Sequence, residues 1–385
     1  MSTTRRRLSA LLLIILILCP LIANLYTARV PNIVQDLSVF RDASTAFLHS
    51  RPIYGPDFIV HTQSPFVYPP FAVLLFLPLA PLPAVLTQYL WIFALFIAVF
   101  LLNILFMKSQ SARPTLLSVL AISTAGIFTA PVQTAIALGQ VDLLLYILIL
   151  LDILGFMPKR LRGIGIGLAA AIKMTPAVFG LLLLFQRDWR AVARSAITFL
   201  ATVLLGFILM PESAKYFWLN SAFDSTRAVS PNYERDMSLR ALLAKSMLSF
   251  GQADAIKSIL FVLGFGFAAY CAYRCVKNNN LPLAYVILVL GLMVFQPVAN
   301  FHHWVGTIVI FGLLFHTPYP RIIRIGLWIL GCSLILSWVI PYFLSPWVPA
   351  YFVQDPLAWL LNNQLGICGL ISFFLISLGS LRHRV

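Results

Sequence analysis

The chain has 385 residues, of which 61% are hydrophobic and only 10% charged, and its mean hydropathy is +0.92. An ordinary soluble domain carries about 25% charged residues, so a water-soluble fold is excluded: too little polar surface is available to cover such a chain. The formal charge of +15 does not signal nucleic acid, because Lys and Arg stand in small clusters at the ends of apolar stretches and form no continuous basic face.

Arg5-Arg6-Arg7 precede an apolar run over 8–28, too long for a cleaved leader and lacking a clean small-x-small site, so an uncleaved first helix is expected. Basic clusters at Lys108, Lys159-Arg160-Leu161-Arg162, 187–194, 274–277, 321–324 and Arg382 mark cytoplasmic points and put both termini inside. Spans are predicted near 8–28, 84–106, 116–134, 143–157, 195–210, 258–273, 283–296, 304–315, 325–343 and 365–380. Proline interrupts two further apolar stretches, 66–83 at Tyr68-Pro69-Pro70 and 163–186 at Lys173-Met174-Thr175-Pro176. Broken helices at membrane depth persist where protein or a water-filled cavity satisfies the freed backbone, so these breaks suggest a functional cavity.

The expected architecture is an all-α integral membrane bundle of about 10–12 transmembrane helices forming one domain over 1–385. Exterior loops are expected at about 29–64, 211–252 and 345–363, with short helices lying on the outer surface.

Carboxylates are scarce, ten Asp and two Glu, so chemistry that needs one has few candidates. Asp36, in Gln35-Asp36-Leu37-Ser38-Val39-Phe40-Arg41-Asp42 just beyond the first span, heads them. It suits two roles equally, the cap of a short helix or a catalytic base. Asp42, six residues on, points elsewhere on a helix and is expected to pair with Arg41 or face water. Lys173 is the one basic residue in its apolar stretch; it either snorkels or serves as a counter-charge to an anionic head group. Gln140, with Asp142, places polar atoms at the end of a span, where an interhelix hydrogen bond is one use. Arg240 lies in the second exterior segment near Asp236, suited to an anionic head group or to ordinary pairing. His302-His303 open a membrane segment, and one of them is a candidate for a phosphate at the interface. No carboxylate pair, cysteine pair or HExxH pattern offers a metal site, and no phosphate-binding loop is present; no metal and no cofactor is expected.

In order, these phrases resemble the GT-C class of polytopic glycosyltransferases, specifically the polyprenyl-phosphate-mannose-using family that contains the actinobacterial mannosyltransferase PimE. The resemblance runs from about Asp36 to Trp304. It rests on Asp-Leu-x-Val-aromatic at 36–40, Pro-Phe-x-Tyr-Pro-Pro-Phe at 65–71, Gly139-Gln140, Lys173-x-Thr175-Pro176, Ser238-x-Arg240 and His302-His303-Trp304. It implies a membrane glycosyltransferase that moves a sugar, mannose first among them, from a polyprenyl-phosphate donor to a glycolipid such as a phosphatidylinositol mannoside. The site would face the exterior of the plasma membrane, with Asp36 as general base of an inverting transfer. Donor phosphate or substrate contacts are implied for His302, His303, Lys173, Gln140, Tyr68 and Arg240. At Asp236-Met237-Ser238 the chain departs from the family's frequent Asn-Gln-Ser, so acceptor contacts are not carried over to that loop. An arabinofuranosyl donor and a lipid-linked-sugar transporter are the alternatives; the transporter would want several acids along its path, and only Asp152 lies well inside a predicted span.

Overall fold

A computed structural model describes residues 3–55, 58, 61, 64–110, 114–222, 235–246, 248–316, 319–344 and 355–382. Among them every regular element is a helix, and the pairing of Asp236 with Asn300 is an isolated bridge. The expected all-α membrane class is therefore the one observed.

Among the described residues six helices are long and apolar enough to cross a bilayer: Arg6–Thr27, Ala84–Ser109, Trp189–Leu209, Gly251–Lys277, Arg321–Val339 and Pro356–Arg382. The stretch expected as one span at 116–134 is two helices, Leu116–Ile127 and Ala130–Leu138, bent by 72°. Pro131 lies at the start of the second, where its missing N–H and its ring suit a helix beginning and not a continuous ladder. Counting that pair as one span gives seven, fewer than the 10–12 expected. The remaining candidates are short. Asp142–Ile153 has 12 residues and Leu281–Phe295 has 15, and at about 1.5 Å per residue each is shorter than a hydrocarbon core of about 30 Å. Leu281–Phe295 is apolar on every side because it is buried from Leu283 to Phe295, so its composition reflects packing against protein and not lipid.

The chain forms two compact units. One comprises residues 1–14, 99–135 and 229–385. In it Arg321–Leu344 lies along Pro356–Arg382, and Phe250–Lys277 lies along Leu281–Phe295. Of the segment 345–363, residues 356–363 belong to the Pro356–Arg382 helix; 345–354 lie outside the described residues.

The other unit comprises residues 15–98 and 136–228. Here Trp189–Leu209 packs on Ile164–Ile172. A helix, α2 (Gln35–Leu48), follows the long apolar helix α1 (Thr3–Thr27). It buries Leu37, Phe40 and Ala43. Phe40 stacks on Phe76 with ring centroids 4.3 Å apart, so the inner face of α2 is fixed by aromatic packing while Gln35 is exposed and Asp36 partly so.

Candidate active site

The site is assembled from one face of the Ala84–Ser109 helix. Gln88 and Trp91 are three residues apart and so share that face. Gln88, buried, donates from Nε2 to the carbonyls of Ala28 (2.6 Å) and Val30 (3.0 Å), and its Oε1 accepts the N–H of Val34 (3.1 Å). These backbone groups lie where the chain turns from α1 into α2 and would otherwise lack partners. Trp91 donates from its indole nitrogen to the Gly139 carbonyl (2.9 Å). Gly139 has φ +75°, and a Cβ there would stand 2.5 Å from Val34 Cγ1 and 2.7 Å from Leu37 Cβ. Glycine alone lets this turn come so close to α2.

The turn delivers Gln140 to Asp36. Gln140 is buried; its Nε2 donates to Asp36 Oδ2, and its Oε1 accepts the hydroxyl of Tyr68 at 3.0 Å. Asp36 occupies the first turn of α2 but makes no cap bond: the N-cap residue is Val34, with no side-chain cap. Of the two roles the sequence left open for Asp36, the helix cap is therefore not taken. Burial pushes the Asp36 carboxyl up from the usual 3.8 to about 6; the Gln140 hydrogen bond and the Lys173 charge pull it down, and the Asp142 charge adds to the rise. The group is thus ionised at neutral pH, but only just beyond its midpoint.

Lys173 sits in the break after Ile164–Ile172, in extended backbone. Its Nζ reaches both carboxylate oxygens of Asp142, at 2.8 and 2.9 Å. Lys173 is therefore paired with Asp142, an acid that the sequence had grouped only with Gln140. Asp42 also departs from expectation. It is buried and accepts the backbone N–H of His61 (2.7 Å), with the His61 ring nitrogen Nδ1 at 2.6 Å. Arg41 instead spends its guanidinium on the Leu82 carbonyl at 2.7 Å. His61 was not anticipated, and one histidine in a polar loop carries no sequence signal for this contact.

The remaining predicted residues belong to the other unit. Arg240, buried, lies 2.8 Å from Asp254 and 3.6 Å from Asp236, the ordinary pairing that the sequence left open. Asp236 accepts the N–H groups of Ser238 (3.0 Å) and Ala299 (2.9 Å), tying the 236–238 segment to the approach to His302-His303. The two histidine rings lie edge to face, centroids 4.2 Å apart. His303 Nδ1 accepts the Asn300 N–H at 3.1 Å, which leaves the ring proton on Nε2 in the neutral form. Trp304 is fully buried and belongs to the core. Among the described residues, no three His, Cys, Asp or Glu side chains come together as a metal cluster.

The family pattern named glycosyltransferase family 87 matches residues 66–297, well over half of the chain. The chain belongs to glycosyltransferase family 87. It is therefore a membrane glycosyltransferase, as the ordered phrases had implied. A family relative from Mycolicibacterium smegmatis, a polyprenol-phosphate-mannose-dependent alpha-(1-2)-phosphatidylinositol pentamannoside mannosyltransferase, is 30% identical over 97% of this chain and 93% of its own length. A second, from Mycobacterium tuberculosis, is a polyprenol-phosphate-mannose-dependent alpha-(1-2)-phosphatidylinositol mannoside mannosyltransferase, 29% identical over 72% of this chain and 70% of its own. Among solved structures, apo ArnT from Cupriavidus metallidurans is similar at TM-score 0.44 and 12% identity, over 96% of this chain and 76% of that one.

Proposed function

We propose that this family 87 glycosyltransferase moves mannose from polyprenyl-phosphate-mannose to a phosphatidylinositol mannoside, with Asp36 as the general base. The observation that carries the assignment is the state of Asp36. It is a scarce carboxylate in the first turn of α2, ionised at neutral pH, with one oxygen held by Gln140 and no other hydrogen-bond partner among the described residues. Support for the donor and acceptor comes from the relatives' activities, matched over nearly the whole chain in one case.

In the proposed step, an acceptor hydroxyl oxygen attacks the anomeric carbon of mannose. The bond from that carbon to the phosphate oxygen breaks, and its electron pair leaves with the polyprenyl phosphate. The hydroxyl proton passes to Asp36, whose shifted pKa keeps it a competent base near neutral pH. Direct displacement from the side opposite the phosphate inverts the anomeric centre. Because both lipids enter with their head groups at the surface, the base belongs at the membrane interface, and the distribution of basic clusters at the opposite ends of the apolar stretches supports an exterior face for it.

The test is transfer by purified protein offered polyprenyl-phosphate-mannose or polyprenyl-phosphate-arabinose with a phosphatidylinositol mannoside, read by mass analysis of the lipid product. A product heavier by one hexose, formed from the mannose donor alone, is expected. Transfer from the arabinose donor alone would overturn the assignment of the sugar.

A further inference from the structure

Among the described residues Asp36 is gripped through one atom only, and that grip is itself oriented by a second hydrogen bond. An amide side chain offers a carbonyl oxygen on one side and an NH2 on the other, and the two can exchange by rotation unless a neighbour decides between them. At Gln140 both sides are spoken for. The Tyr68 hydroxyl donates to Oε1 at 3.0 Å, and Nε2 donates to Asp36 Oδ2. Tyr68 is held in turn. Its carbonyl accepts the Tyr54 hydroxyl at 2.5 Å, and its ring stands edge-on to Phe40 at 5.0 Å between centroids. Phe40 lies one helical turn after Asp36 on α2, so the residue that orients the amide is packed against the helix that carries the carboxylate. Both Gln140 and Tyr68 are buried.

We infer that Tyr68 and Gln140 are positioning residues that act through Asp36: the relay from Tyr68 to Gln140 to Asp36 occupies Oδ2 and so presents Oδ1 to the acceptor hydroxyl. This rests on the reading of Asp36 as general base and assigns the pair a place in that reaction, in contrast to the substrate contacts that the sequence resemblance implied for them. Two consequences separate the roles. A substrate contact is felt in the KM of that substrate. A relay onto the base is felt in kcat and in the protonation of Asp36, because the Gln140 bond favours the ionised carboxylate. Loss of that bond therefore moves the acid limb of the rate profile to higher pH.

The experiment compares pH profiles of mannosyl transfer for wild type, Gln140→Met, Tyr68→Phe and Asp36→Asn at saturating donor and acceptor. Gln140→Met keeps the length of the side chain without the donor, and Tyr68→Phe keeps the ring on Phe40 without the hydroxyl. The expected result is an acid limb displaced upward in both, further for Gln140→Met, with kcat at pH 6.5 reduced about tenfold for Gln140→Met and severalfold for Tyr68→Phe, and KM values near wild type. An acid limb unmoved in both variants, with KM raised, would overturn the relay and leave the two residues as substrate contacts. Asp36→Asn keeps the two failures apart: wild-type transfer by that variant overturns the base itself, whereas its inactivity beside an unmoved limb in the others overturns the relay alone. Tyr68→Phe removes a single oxygen and retains the packing, so its profile remains measurable even if Gln140→Met does not fold.

Discussion

Replacing Asp36 by Asn separates catalysis from stability at one position, and the two effects have opposite signs. The Asn side chain has the shape of Asp and offers its own carbonyl oxygen to Gln140 Nε2, so the contact that seats α2 against the Gly139 turn survives. What disappears is the proton acceptor. A positioned base contributes about 10² to 10⁴-fold, and transfer should fall by that range, with wild-type activity rising through an acid limb near pH 6. The stability effect follows from the same shift. A carboxyl raised from 3.8 to about 6 in the folded protein favours the fold below pH 3.8 and loses that contribution as pH rises through about 6. At neutral pH the ionised group is then a cost of up to about 3 kcal/mol, reduced by solvent because Asp36 is partly exposed. The Asn variant should therefore unfold at the same or a higher temperature than wild type at pH 7.5, with the difference closing at pH 4. Radiolabelled mannose transfer and thermal unfolding in the same detergent read both quantities. Near wild-type transfer would refute the base, and a variant less stable than wild type at pH 7.5 would refute the account of the shift.

Gly139→Ala forces a side chain into left-handed backbone, costing about 1 kcal/mol, and drives a Cβ into Val34 and Leu37; transfer should fall much further than thermal stability, measured side by side. Asp142→Asn leaves the Lys173 ammonium without its carboxylate, which should destabilise the protein by about 3 kcal/mol, with Lys173→Met in the same chain restoring most of the loss in a double-mutant cycle. Arg240→Ala exposes the buried Asp236 to an unpaired state and should cost a similar amount, read by thermal unfolding, while Arg240→Lys recovers part of it. A cysteine at Ile33, which is 43% exposed just ahead of α2, should react with an impermeant maleimide on intact cells; reaction only after permeabilisation would reverse the membrane orientation.

Much of this site is visible in the sequence as isolated oddities: a rare acid after the first span, a glutamine at a helix end, a lysine in an apolar stretch. What sequence cannot display is which of them meet. Gln140 reaches Asp36 across 104 positions, and a single chain offers no period or spacing that encodes such a contact. Lys173 is visible as an expensive residue but not as the partner of Asp142, because its pairing depends on the break in extended backbone that follows Ile164–Ile172. Gln88 and Trp91 are hidden altogether, since within a long apolar helix their side chains resemble any interfacial polar and aromatic residues. The count of spans misleads for a related physical reason. A helix such as Leu281–Phe295, wrapped in protein, needs apolar residues on every side just as a helix wrapped in lipid does, and only its length tells them apart.

Gln88 and Trp91 give the Ala84–Ser109 helix a second role, as a common rail. The start of α2 hangs from one and the Gly139 turn from the other, so carboxylate and amide ride on the same membrane-crossing rod. A bilayer that thickens or thins is met by helix tilt at modest cost per ångström. Because Gln88 and Trp91 hold both pieces by hydrogen bonds, such tilt would carry Asp36 and Gln140 together and leave the contact between them in place.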